Sequence, residues 1–169
     1  MMPYCVQKYG GTEYIMTFVK RRDAREAVLC ILFDYSFQPE ESPEELLDMY
    51  VKYYCGKTEE DIENESKDNE DTYFPDVFLG VIANLEKIDE IIEKCAEKWS
   101  KKRISRISMS VLRIAIYEML HCEDIPVQVS INEAVELAKK YDTDDSYTFV
   151  HGVLGAADNI LNTNTDDAE

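Results

Sequence analysis

The sequence predicts an all-α protein of about six or seven helices, and three observations carry that prediction. Apolar residues recur every three or four positions through most of the chain, the period of an amphipathic helix. Helix-start signals stand at Ser42-Pro43-Glu44-Glu45 and at Ser130-Ile131-Asn132-Glu133, each just ahead of such a stripe. Six glycines and five prolines in 169 residues, against 45% hydrophobic residues, indicate a compact chain, and no segment reads as a strand.

The elements follow in order. Residues 1–18 have no helical period and contain Gly10-Gly11; they read as an N-terminal extension, with Met16 as a candidate natural start. From Arg21 the pattern turns helical, with Ala24, Ala27, Val28, Ile31, Leu32 and Tyr35 on one face. Ser42 then caps a second helix, with Pro43 at its first position and Leu47, Tyr50, Val51 and Tyr54 as its buried stripe. Residues 56–71 are polar and acidic, a solvated loop or a frayed helix. Phe74, Val77, Phe78, Val81, Leu85, Ile88, Ile92, Cys95 and Trp99 form one long stripe, expected to bend or break near residues 84–88.

Residues 107–120 are apolar almost all round, which marks the most buried helix, and Pro126 stops what precedes it. The next helix is expected to start at a capping box, Ser130 with Glu133, stapled by Val129 on Ala134. Its predicted face is Ala134, Val135, Ala138 and Tyr141. Asp144, Asp145 and Ser146 offer an acidic cap to the last helix. Phe149, Val150, Val153, Leu154, Ala157, Ile160 and Leu161 give that helix a full stripe. The expected organisation is an extension over 1–18, one helical domain over 19–162 and an acidic tail over 163–169.

Composition narrows the function classes. No apolar run approaches the roughly 20 residues that span a bilayer, and the first fifteen residues lack the pattern of a secretory signal. Five scattered cysteines, never paired as C-x-x-C, read as reduced thiols of a cytoplasmic protein, and no zinc site is expected. The two histidines have no metal-ligand spacing, and neither a phosphate loop nor a nucleophile elbow is present, so no enzyme, catalytic residue, metal or cofactor is expected. A net charge of −17 opposes nucleic-acid binding, but residues 40–71 hold 13 acids against 3 lysines and the tail from Asp158 holds four more acids. The remainder is close to neutral.

Two basic spots lie in that remainder. Lys20, Arg21, Arg22 and Arg25 open the first helix, with the arginines on neighbouring turns. Positive charge at a helix N-terminus is disfavoured by the dipole, and clustered arginines repel, so the placement costs stability. Such a cost points to an anionic partner such as a phosphate backbone, matched by the guanidinium fork. Internal neutralisation by Asp23, Glu26 and the acidic segment is the competing account. Lys98, Lys101, Lys102, Arg103 and Arg106 lie at a helix end, where cations are stabilising anyway. Phe33, Tyr35, Phe37, Tyr147 and Phe149 are aromatics on which bases could stack, although most aromatics at helical spacing belong to cores.

Several separated strings have a familiar order. S-I-N-E-A-V-E-L-A-K-K-Y (residues 130–141), D-S-x-x-F-V-x-G-V-L (145–154), V-L-R-I-A-I-Y-E-M (111–119) and R-R-x-A-R-E (21–26) together resemble the NusB family. The stretch around Phe74 to Ile92 is similar with shifted spacing. The resemblance covers about residues 20–161. It implies two small packed helical bundles and a non-enzymatic antitermination factor that binds boxA-type single-stranded RNA of nascent ribosomal transcripts. The implied partners are NusE, a small-subunit ribosomal protein, and, through the complex, other Nus factors and RNA polymerase. RNA contact is implied for Arg21, Arg22 and Arg25, with Lys20 beside them, and for Asp145 and Phe149 at the start of the last helix. His151, Gly155 and the Ser108-Met109 pair depart from the family pattern, the last where an acidic residue often serves the NusE contact. The alternative is a protein–protein adaptor or homodimer with weak or lost RNA binding. A module of a ribosomal RNA methyltransferase is remote, because no catalytic half is present.

Overall fold

The computed structural model describes residues 6–9, 12–15, 20–40, 42–55, 73–99 and 104–166. The expectations for Met16, for the acidic stretch beyond Cys55, and for Lys101, Lys102 and Arg103 lie outside the described residues. Among those described are seven α-helices: α1 (Arg21–Tyr35), α2 (Pro43–Cys55), α3 (Tyr73–Ala83), α4 (Leu85–Ala96), α5 (Arg106–His121), α6 (Val127–Tyr141) and α7 (Ser146–Asp166). A 3-10 turn, Glu97–Trp99, follows α4. The chain divides into two units, with the boundary between Leu79 and Gly80.

The first unit holds a feature the helical reading did not anticipate. Val6–Tyr9 and Thr12–Ile15 pair as an antiparallel hairpin, with Lys8 opposite Glu13. A Gly-Gly link between two short polar–apolar runs is a hairpin signal, but four residues are too few for the alternation to stand out. In α1, Ala24, Ala27, Val28, Ile31 and Leu32 are buried, as their spacing predicts. Leu46, Leu47 and Val51 are buried on α2, and Phe74, Val77 and Phe78 on α3. The Tyr35 ring meets Phe78 edge-on at 6.3 Å, and the Tyr50 hydroxyl donates to the Asp34 carboxylate, tying α2 to α1. Ser42 caps α2 as expected: its Oγ accepts the Glu45 N–H at 3.4 Å and donates to the Glu44 carboxylate at 2.9 Å. Ser42 Oγ thus meets the Glu44 carboxylate, whereas a capping box would bring Glu45 back to the Ser42 N–H.

In the second unit the predicted break falls at Asn84, whose φ of −113° and ψ of 16° leave the helix. Its side-chain amide donates to the Gly80 carbonyl at 2.8 Å, which also accepts the Asn84 backbone N–H at 3.1 Å. A side chain at Gly80 would place its Cβ 2.1 Å from the Tyr117 hydroxyl, so the glycine permits close seating of that ring. α5 is the most buried helix, as its sequence predicts; Val111, Leu112, Ile114, Ala115 and Ile116 are each at most 2% exposed. Arg113 on α5 grips Asp89 on α4 with two parallel hydrogen bonds of 2.8 and 2.7 Å.

The start of α6 corrects the capping-box expectation. The helix begins at Val127, and the Pro126 carbonyl accepts from Val129 and Ser130 at 2.8 and 3.2 Å. Ser130 therefore lies inside the helix, 1% exposed, and its hydroxyl has no hydrogen-bond partner. Val129, the supposed staple, is 41% exposed. Proline, its φ already fixed, starts the helix one turn early, which puts Ser130, Ile131, Ala134, Leu137 and Ala138 on the inner face. Tyr141, placed on that face by the shifted reading, is exposed. α7 buries Phe149, Val150, Val153, Leu154 and Ala157 as predicted, and it continues to Asp166, into the expected acidic tail.

Candidate nucleic-acid interface

All four basic residues of the first cluster lie on the opening turns of α1. Lys20 occupies the N-cap position in extended conformation, and no side chain caps the helix there. Its carbonyl accepts from Asp23 and Ala24 at 2.9 and 3.2 Å, which closes the first turn. Lys20, Arg21 and Arg22 are exposed at the positive end of the helix. Arg25 is different, at 4% exposure. Its guanidinium lies 5.5 Å from the centre of the Tyr73 ring, and that of Arg21 lies 5.3 Å from the same centre.

Tyr73 is the residue the sequence reading missed. It stands at the first position of α3, 5% exposed. Nothing local marks it, because its partners lie about fifty positions earlier. A cation over a tyrosine face gains about 0.5–1 kcal/mol at an exposed site and about 2 when desolvated. The Arg25 contact belongs at the upper end of that range and the Arg21 contact at the lower. One ring thus offsets part of the repulsion between two cations one helical turn apart.

The second predicted region, Asp145 and Phe149, belongs to the other unit. Asp145 is exposed immediately before α7. Phe149 is 5% exposed and packs edge-on against Trp99, with centroids 5.5 Å apart and planes at 84°. A Cβ on Gly152 would come within 2.9 Å of the Trp99 ring, so Gly152 gives the indole its room. Phe149 is thus a wall of the core here, not an open platform. Of the other stacking candidates, Phe37 and Tyr147 are exposed at 57% and 40%, and the Lys139 ammonium lies 5.4 Å from the Tyr147 ring centre. Lys98 and Arg106, from the second basic cluster, are both exposed.

The α6–α7 turn is secured from below by Asp142. Its carboxylate accepts from the Ser105 hydroxyl and, at 2.5 Å, from the Ser108 hydroxyl, while Thr143 N–H donates to its other oxygen at 2.8 Å. Ser105 also caps α5 by accepting the Ser108 N–H at 2.9 Å. Burial pushes the Asp142 carboxyl up, but these hydrogen bonds together outweigh it and hold the group below the usual carboxylate range. Ser108, noted above for the lack of an acidic residue, has a structural task in this chain.

Among the described residues no helix is long and apolar enough to cross a membrane, and no group of His, Cys, Asp and Glu has an arrangement that could hold a metal ion. Cys30, Cys95 and Cys122 are not joined in disulfides.

Comparison with known proteins agrees with this architecture. The NusB family matches residues 22–159. The transcription antitermination protein NusB of Acetivibrio thermocellus is 38% identical over 135 residues, which is 80% of this chain and 86% of that protein. The T. maritima NusB structure is 35% identical with a TM-score of 0.65, covering 82% of this chain and 89% of its own. A structure of the antitermination factors NusB and NusE in complex with double-stranded RNA is 26% identical with a TM-score of 0.63, covering 81% and 94%. The match spans both units and nearly the full length of each relative, and the chain belongs to the NusB family.

Proposed function

We propose that this protein is a non-enzymatic transcription antitermination factor that binds boxA-type single-stranded RNA of nascent ribosomal transcripts together with NusE. It would thereby join other Nus factors on RNA polymerase in the cytoplasm. The observation that carries the reading is the exposed Lys20-Arg21-Arg22 run at the positive end of α1, a placement costly to the fold and suited to phosphate. Family membership and the NusB–NusE–RNA neighbour support it. In this reading Lys20, Arg21 and Arg22 meet the RNA backbone, and Arg25 adds its charge from a buried position. Asp145 contributes a hydrogen-bond acceptor at the start of α7, with Phe149 packed behind it.

Fluorescence anisotropy with a boxA-like single-stranded RNA, with and without NusE, tests the proposal. The expected result is weak binding alone, tightened by NusE, and an affinity that falls steeply with salt. No binding at low salt in either condition would refute it. Exposed Phe37 and Met49, at 57% and 56%, favour as a second reading a protein–protein adaptor or homodimer. Sedimentation over a range of concentrations without RNA separates the two.

A further inference from the structure

We propose that Tyr73 is a positioning residue for RNA binding, acting through Arg21 and Arg25; this rests on the functional reading above. Arg21 and Arg25 converge on one ring, at 5.3 and 5.5 Å from its centre. Tyr73 itself is 5% exposed, so it is not offered to a ligand as a stacking surface. Its π face attracts cations electrostatically and narrows the rotamers open to the exposed Arg21 side chain. An exposed arginine must be ordered when it grips a phosphate, and that ordering opposes binding. Arg21, already held against Tyr73, has less to lose.

Arg25 adds a second consequence. At 4% exposure it does not reach outward as Arg22 does, yet its charge stays next to Arg21 because the same ring holds both. One ring thus orders both guanidiniums, so its loss would loosen both. Tyr73 thus raises affinity without touching the RNA.

The test uses the full chain and a boxA-like single-stranded RNA read by anisotropy. Four forms are compared: the parent, Tyr73→Phe, Tyr73→Leu, and a form with trifluorophenylalanine at position 73, whose shape is kept while its π face is depleted. Each is also made with Arg21→Ala, and folding is followed by circular dichroism. Tyr73→Phe is expected to bind as the parent does. The leucine and fluorinated forms are expected to bind about threefold more weakly, and to lose clearly less once Arg21 is alanine. The fluorinated form keeps the test valid if leucine unfolds the chain. Equal binding by the parent and the fluorinated form would overturn the inference, as would an equal loss with and without Arg21. A parent that fails to bind RNA at all refutes the functional reading instead, and the inference with it.

Discussion

The opening of α1 and the opening of α7 are both predicted contact regions, and they are built on opposite terms. At α1, cations gather at the helix end that disfavours them, and one aromatic ring holds an exposed arginine and a buried one. At α7, an acid stands before the helix, where the dipole welcomes it, and the aromatic is sunk against Trp99. The first region exposes charge where the helix dipole disfavours it, and the second exposes its acid but buries its aromatic. A residue's conspicuousness in sequence therefore does not say whether it ends exposed or buried.

Substitutions that separate binding from stability sharpen this contrast. Phe149→Ala should have the largest effect, a loss of about 3 kcal/mol or more in denaturant unfolding, as for other buried phenylalanines. A loss below 1 kcal/mol would mean that Phe149 is not the wall the Trp99 contact describes. Asp142→Ala should follow, at about 2 kcal/mol, because it removes a charged acceptor from two hydroxyls and a backbone N–H. The same carboxylate sets a pH dependence. Its folded pKa lies below its unfolded value, so its contribution is complete above the ordinary carboxylate range and fades as pH falls through the folded pKa. Thermal melts of the parent and the Asp142→Ala form should converge in acid. Melts that stay apart at every pH would break that account.

Smaller effects are expected on the α1 side. Arg21→Ala with Arg22→Ala should change stability by no more than about 0.5 kcal/mol, because relief at the helix N-terminus is set against the lost Tyr73 contact. RNA binding should weaken, with the salt slope reduced by roughly 1.4, near 0.7 for each lost single-strand phosphate contact. A clear loss of stability would place these arginines with the structural group. Ser130→Ala should be nearly neutral, because its buried hydroxyl has no partner to lose. A true cap would cost about 1 kcal/mol, so the measurement decides between the helix start at Val127 and one at Ser130.

Much of the fold was legible because helix formation is local. The stripes of α1, α5 and α7, the Ser42 cap and the break at Asn84 all follow from spacings of three or four residues. The hairpin at Val6–Tyr9 and Thr12–Ile15 was lost because so short an alternation is weak evidence. Ser130 misled because a genuine local pattern competed with Pro126 four residues earlier, and burial of Ile131 and Leu137 agreed with the proline. At the candidate interface the charges were visible and their settings were not.

By itself the sequence determined the helical class, the basic opening of α1, the acid before α7 and the strings that mark the family. Only the tertiary structure decided that Arg25 turns inward to Tyr73, that Phe149 faces Trp99, and that Asp142 gathers Ser105 and Ser108. The reason is physical. Period, cap and charge act within a turn or two of helix, whereas a buried partner is chosen when segments some 35 to 50 residues apart compete to exclude water from the same surface.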